Sequence, residues 1–314
     1  MKNNMKIIFM GTPDFAVPSL KNLYDNGHSI NLVITQKDRP RGRGKKIQHT
    51  PVKKSALELG LDVYQPKNIN HKEAVEKIKE INPDFIVVVA YGQILKQNIL
   101  DIPKYGSYNV HASLLPKYRG AAPINWAIIN GEKETGVTIM AMEEGLDTGD
   151  IILSESINIS KNDDTKTLHD KLSILGGELI LRALEDIKKG KAIRKPQDDK
   201  LSSYASMLSK EMGEIDWNLP GEKIVNLIRG LKPWPSAYTM YKDIMVKIHK
   251  AAISDENKQG QNGEIIRVDN SGIYVNSLDK VIIIEELQFP GKRKLKTSEY
   301  LRGNSIEKGI ILGD

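Results

Sequence analysis

The chain has 314 residues, 39% hydrophobic and 27% charged, with 46 Lys and Arg against 40 Asp and Glu. That length exceeds one compact core and predicts two domains, while no apolar run approaches the roughly 20 residues that span a bilayer. The absence of cysteine excludes disulfides, thiolate nucleophiles, Cys-type zinc sites and iron–sulfur clusters, so catalysis has to use other groups.

The N-terminal stretch carries two lysines and only a short apolar run, Ile7 to Met10, against the roughly 7 to 15 residues of a signal-peptide core. It reads as a first strand, and a cytoplasmic location is expected. From Met5 to about Ile187, apolar runs alternate with amphipathic stretches, the pattern of strand and helix units in an α/β domain with a parallel-rich sheet. The predicted strands are KIIFMG (6–11), INLVITQ (30–36), DFIVVVA (84–90), SYNVHAS (107–113), GVTIMAM (136–142) and ILSESINI (152–159). Thr50 and Pro51 fit the cap and first turn of a helix that Gly60 stops, after which LDVYQ is extended. Leu168, Leu172, Leu175, Leu179, Leu181 and Leu184 give a long helix over 165–189 its apolar face.

The segment after Lys189 is polar and broken by Gly190 and Pro196, which makes 190–207 the expected linker between a domain of residues 1–189 and one of 208–314. In the latter, EKIVNLIRG reads as a helix, and SAYTMYK, IMVKIHKAAI, GEIIRVDN, GIYVNSL and KVIIIEELQF read as five strands. A small OB-like β-barrel is the natural arrangement.

Three residues form a candidate site. Strand periodicity puts Asn109 and His111 on one face of SYNVHAS, at the end where open parallel sheets bind ligands. Downstream, GVTIMAM runs into a glycine-rich turn holding Asp147. An amide donor, a titratable imidazole and an orienting acid suit acyl transfer to an amine. Equally, a strand-end histidine and an aspartate in a Gly-flanked turn serve structural roles in many proteins.

Asn109, His111 and Ser113-Leu114-Leu115-Pro116, together with Leu146-Asp147-Thr148-Gly149-Asp150, resemble the signature of the folate-dependent formyltransferase family. The resemblance implies a Rossmann-like formyltransferase domain, catalytic roles for Asn109, His111 and Asp147, and a formyl-folate site lined by Ser113, Leu114, Leu115 and Pro116. Gly11-Thr12-Pro13-Asp14-Phe15, Tyr118-Arg119-Gly120-Ala121-Ala122-Pro123 and Pro233-Trp234-Pro235 resemble more narrowly the members that act on methionyl-tRNA. The implied co-substrate is 10-formyltetrahydrofolate, and the implied partner is the initiator methionyl-tRNA. The Gly11 segment lacks the G-x-G-x-x-G glycines of a dinucleotide loop.

Residues 37–46 hold six basic residues and one acid, with two glycines and a proline. They read as a flexible surface loop whose Arg39, Arg41, Arg43, Lys45 and Lys46 contact phosphates. Lys292, Arg293 and Lys294 belong to a second basic cluster, although residues 208–314 carry 16 basic and 15 acidic residues, so any RNA contact there is local. The histidines show no ligand spacing, so no metal is expected. A monomer without membrane attachment is expected. Two rival readings are a formyltransferase for a small amine and a non-catalytic RNA-binding protein on the same fold.

Overall fold

The computed structural model describes residues 4–41 and 46–313. In chain order its elements are β1 (Lys6–Gly11), α1 (Val17–Asp25), β2 (Ser29–Ile34), β3 (Arg39–Arg41), β4 (Lys46–Gln48), α2 (Pro51–Glu58), β5 (Val63–Tyr64), α3 (Lys72–Ile81), β6 (Phe85–Val89), α4 (Gln97–Leu100), β7 (Ser107–His111), β8 (Arg119–Gly120), α5 (Pro123–Ile129), β9 (Glu134–Ala141), β10 (Ile151–Asn158), α6 (Thr165–Lys188) and β11 (Tyr204–Ala205). They continue with α7 (Gly221–Gly230), β12 (Ala237–Tyr241), β13 (Ile244–Ile253), β14 (Ile265–Asp269), β15 (Gly272–Asn276), β16 (Val281–Gln288), β17 (Leu295–Lys296) and α8 (Thr297–Tyr300). Two compact units result: Met1–Gly120 with Thr135–Ile157 and His169–Ala205, and Ala121–Glu134 with Asn158–Leu168 and Ser206–Asp314.

The first unit holds a seven-stranded sheet of order β10-β9-β7-β6-β1-β2-β5. Strands β5, β2, β1, β6 and β7 pair in parallel, whereas β9 pairs with β7 in the antiparallel sense. Central strands covered on both faces must be apolar throughout, and Ile7, Ile8, Phe9, Phe85, Ile86 and Val87 are all wholly buried. One face packs Ile8, Met10, Ile34 and Ile86 against Val75 and Ile78 of α3 and Ile99 of α4. On α6, Leu172, Leu179 and Leu184 are buried, but Leu181 is only half-buried and Ile180 is buried instead. The 3.6-residue period explains the exchange, since position 180 stays on the stripe and 181 rotates off it.

In the second unit the order is β12-β13-β16-β15-β14 with β17 added to β16, and these strands pair in the antiparallel sense. One face of all five long strands, with Ile224 and Ile228 of α7, closes on a single apolar core. The small β domain expected after residue 207 is therefore an antiparallel sheet, and its path stays open between β12 and β14 among the described residues.

Where the sequence reads as a flexible loop over 37–46, residues 39–41 and 46 are extended, and 42–45 lie outside the described residues. β3 and β4 form a short antiparallel hairpin, Arg39 opposite Gln48 and Arg41 opposite Lys46. Its two feet are tied by one carboxylate, because Asp38 directly precedes β3 and His49 directly follows β4. Lys53 Nζ of α2 donates to Asp38 Oδ2 at 2.6 Å, Gln65 Nε2 donates to Oδ1 at 2.9 Å, and His49 Nδ1 lies 2.8 Å from Oδ2. Burial alone pushes the Asp38 carboxyl up, but the Lys53, Gln65 and His49 contacts outweigh it and hold the group far below the ordinary carboxylate range.

Two outcomes are expected. The carboxyl is depressed in the folded state, so the stability it contributes is complete above the unfolded value near pH ~4 and is lost as pH falls further. Thermal melting of Asp38→Asn against wild type will show a deficit at pH 7 that shrinks as pH drops below about 4. Separately, Thr50 Oγ1 accepts from Lys53 N at 3.1 Å and shares a 2.8 Å hydrogen bond with buried Thr35. Thr50→Ala will cost about 1–2 kcal/mol in urea unfolding, and Thr50→Ser will recover most of it.

Candidate active site

β7 delivers Asn109 and His111, as its alternation requires. His111 is 5% exposed and Asn109 half-buried, and the Asn109 amide hydrogen-bonds no other described residue. The His111 Nε2 lies 2.9 Å from the Tyr118 carbonyl oxygen. A carbonyl only accepts, so Nε2 carries a hydrogen. The other ring nitrogen, Nδ1, faces Asp147 Oδ2 at 3.6 Å. A ring with hydrogens on both nitrogens therefore meets an acceptor on each side.

Asp147 arrives on the turn that follows β9, the neighbouring strand, which runs antiparallel to β7, with Ala141 opposite Tyr108 and His111 opposite Thr138. The strand thus ends beside the start of β7, and the 142–150 turn folds back along the sheet to reach His111. Asp147 adopts φ +54° in that turn, and its Oδ2 accepts from Gly120 N at 2.9 Å. Gly149 is required by close approach, since a Cβ there falls 2.0 Å from the Ala141 carbonyl oxygen.

The Ser113–Pro116 segment leaves the end of β7. Ser113 and Leu115 are buried, and Leu114 and Pro116 are half-buried. Ser113 Oγ donates to Lys117 O at 2.7 Å, Thr138 Oγ1 donates to Ser113 O at 2.7 Å, and Leu115 N donates back to Thr138 Oγ1 at 3.1 Å. The loop is thereby fixed to β9 two and four residues beyond the histidine.

Several contributors escaped the sequence reading. Gln197, in the segment read as a linker, donates from Nε2 to the carbonyls of Asp147 and Gly149 at 2.9 and 2.8 Å. Its Oε1 accepts from Arg119 Nε and Nη2 at 3.1 and 2.8 Å. Ser203 Oγ accepts from Tyr118 N at 2.9 Å, and β11 pairs in parallel with β8. An irregular segment carries no periodicity to mark such residues.

Beyond the ends of β1, β2 and β6, a cleft of about 280 Å³ is lined by Thr12, Gln36, Lys37, Arg39, Thr50 and Gly92, among others. Thr12 stitches these ends together, donating to Tyr91 O at 2.8 Å and accepting from Gln36 N at 3.4 Å. Arg39 is exposed there. Arg41 and Lys46 end the hairpin arms, and Arg43 and Lys45 lie outside the described residues.

In the second unit, Lys292 and Arg293 line a groove of about 740 Å³ together with Met245, Phe289 and Tyr300, whose aromatic rings stack at 4.7 Å. Lys294 instead donates to Glu286 at 2.9 Å. Burial works against the ionised Glu286, but that hydrogen bond and nearby lysines keep its pKa below the ordinary value. No group of three or more metal-ligating side chains occurs among the described residues, and no helix among them is long and apolar enough to cross a membrane.

Residues 5–184 match the family described as Formyl transferase, and residues 207–305 match Formyl transferase, C-terminal domain. Over 309 residues the chain is 51% identical to the methionyl-tRNA formyltransferase of Clostridioides difficile, covering 98% of this chain and 100% of that one. It is 52% identical over 309 residues to the protein of the same name from Clostridium acetobutylicum, covering 98% and 99%. The solved structure of WlaRD, a sugar 3N-formyl transferase in the presence of dTDP and 5-N-formyl-THF, superposes with a TM-score of 0.68 at 23% identity, over 92% of this chain and 99% of that one; that likeness is one of fold. The chain belongs to the methionyl-tRNA formyltransferase family.

Proposed function

We propose that this chain transfers the formyl group of 10-formyltetrahydrofolate to the α-amino group of initiator methionyl-tRNA, in support of translation initiation. The observation that carries the reading is the approach of Asp147 to His111 Nδ1 at 3.6 Å, with Asn109 two residues before the histidine on β7, in a chain about half identical over its length to the named relatives. In the same reading residues 1–189 are catalytic, 190–207 connect, and 208–314 bind tRNA, in a cytoplasmic monomer.

A free α-amine has a pKa near ~8, so a useful fraction is neutral around pH 7. Its lone pair attacks the formyl carbon, the new C–N bond forms, and negative charge develops on the formyl oxygen. The Asn109 amide supplies a preorganised donor to that oxygen. The proton lost by the amine has to reach the folate nitrogen as the old C–N bond breaks. His111 carries it at Nδ1, because Nε2 is engaged by the Tyr118 carbonyl. Asp147 orients the ring from 3.6 Å away. The Ser113–Pro116 loop, held by Thr138, forms the wall of the folate site. Arg39, Arg41, Arg43, Lys45 and Lys46 meet the phosphates near the acceptor end, and Lys292 and Arg293 meet phosphates in the second domain, where Lys294 joins them on leaving Glu286.

The test is transfer of labelled formyl from 10-formyltetrahydrofolate to charged initiator tRNA, with charged elongator methionine tRNA and free small amines alongside. Selective labelling of the initiator is expected; labelling of small amines alone overturns the tRNA assignment. His111→Ala is expected to lower kcat by about 10²–10⁴ with little change in tRNA Kd, and a wild-type kcat removes the histidine from the chemistry. The Arg41→Ala/Arg43→Ala variant is expected to weaken tRNA binding and to flatten its salt dependence by about one slope unit per lost phosphate contact. Formyl-folate binding should be unchanged.

A further inference from the structure

We propose that Gln197 is a positioning residue for the formyl transfer, acting through the Asp147 turn and held in register by Arg119. The inference rests on the reading that Asp147 orients His111. Asp147 sits at φ +54°, a left-handed conformation that a side-chain-bearing residue keeps only when its surroundings over-determine it. The two amide hydrogens of Gln197 supply that constraint from one side, bridging the carbonyls of Asp147 and Gly149 at 2.9 and 2.8 Å. From the other side, Gly120 N holds the Asp147 carboxylate at 2.9 Å.

The orientation of the Gln197 amide is not arbitrary. Its oxygen faces the Arg119 guanidinium, with Nε at 3.1 Å and Nη2 at 2.8 Å, so its NH₂ group must face the turn. Arg119 is itself fixed: its N donates to Ser203 O at 2.9 Å, and Nη2 also reaches Asp199 at 2.8 Å. Arg119 and Gly120 are adjacent on β8, which pairs with β11 at Tyr204 and Ala205. One two-residue strand therefore governs Asp147 twice, directly through Gly120 and indirectly through Gln197. A carboxylate in place of the amide has the same shape, but it sets negative oxygens against two carbonyls and pairs only with Arg119. Gln197→Glu is therefore the diagnostic change.

The experiment uses the full chain in steady-state transfer from 10-formyltetrahydrofolate to charged initiator tRNA, comparing Gln197→Glu, Asp147→Asn and the double variant. Gln197→Glu is expected to lower kcat about 10- to 100-fold, with both KM values held within about twofold. In the Asp147→Asn background it is expected to cost almost nothing more. The ring ¹⁵N resonances of His111 should shift in both single variants while the backbone amide spectrum stays that of the folded chain, a combination that loss of folding does not give. A near wild-type kcat for Gln197→Glu beside an impaired Asp147→Asn overturns this proposal and leaves the Asp147 reading intact, and so do fully additive losses. A wild-type kcat for Asp147→Asn overturns the Asp147 reading and this proposal with it. Should Gln197→Glu not fold, Arg119→Lys keeps the charge but loses the two-pronged contact. It must then show the same kcat loss and coupling in milder form, and wild-type behaviour overturns the proposal.

Discussion

β9 lies antiparallel against β7 inside a sheet whose run from β5 to β7 is parallel, and the site depends on that reversal. A parallel strand would have released its following turn at the same end as His111. An antiparallel one releases it beside Tyr108, the wrong end for an acid that must meet the imidazole. The chain corrects the mismatch with a turn that doubles back, and such a turn exposes backbone polar groups that need partners. Those partners are on hand: Ala141 N donates to Asp150 O at 2.9 Å, Gln197 takes two carbonyls, and Gly120 takes the carboxylate. The reversal also sets Thr138 opposite His111, where its hydroxyl can tie down the loop after the histidine. One choice of strand direction thus places both the acid and the loop.

The parts of this fold legible in the sequence are those whose burial leaves a period. β1 and β6 read as apolar runs because both faces are covered, and α2 announced itself through Thr50 and Pro51, whose cap is present. β13 spans Ile244–Ile253, the segment its alternation predicted. Strand direction leaves no such trace, because a strand alternates identically whichever way it runs, so the doubling back of the turn that carries Asp147 is not legible in the sequence. Gln197 was illegible for another reason. Its partners are backbone carbonyls nearly fifty positions away, and a single polar side chain in an irregular segment looks the same whether it faces solvent or a turn. The hairpin at 39–48 was taken for a loop because each arm is only three residues long, too short for alternation to outweigh its Gly, Pro and Arg content.

The charge pattern shows why counting residues misleads. Asp38 stands as the one acid among six bases in residues 37–46, and a tally treats it as a dilution of the positive run. In the structure it sits at the root of the hairpin and binds Lys53, outside the run, while Lys37 and Arg39 stay exposed. In the second unit the opposite happens, since Lys294 is engaged by Glu286 while Lys292 and Arg293 stay exposed. A phosphate contact gains most of its free energy by releasing condensed counterions. A lysine already paired to a carboxylate must first give up that partner. The near-zero net charge of residues 208–314 therefore says little about affinity for an anion, because what matters is which cations the fold has left unengaged and on what rigid element it presents them.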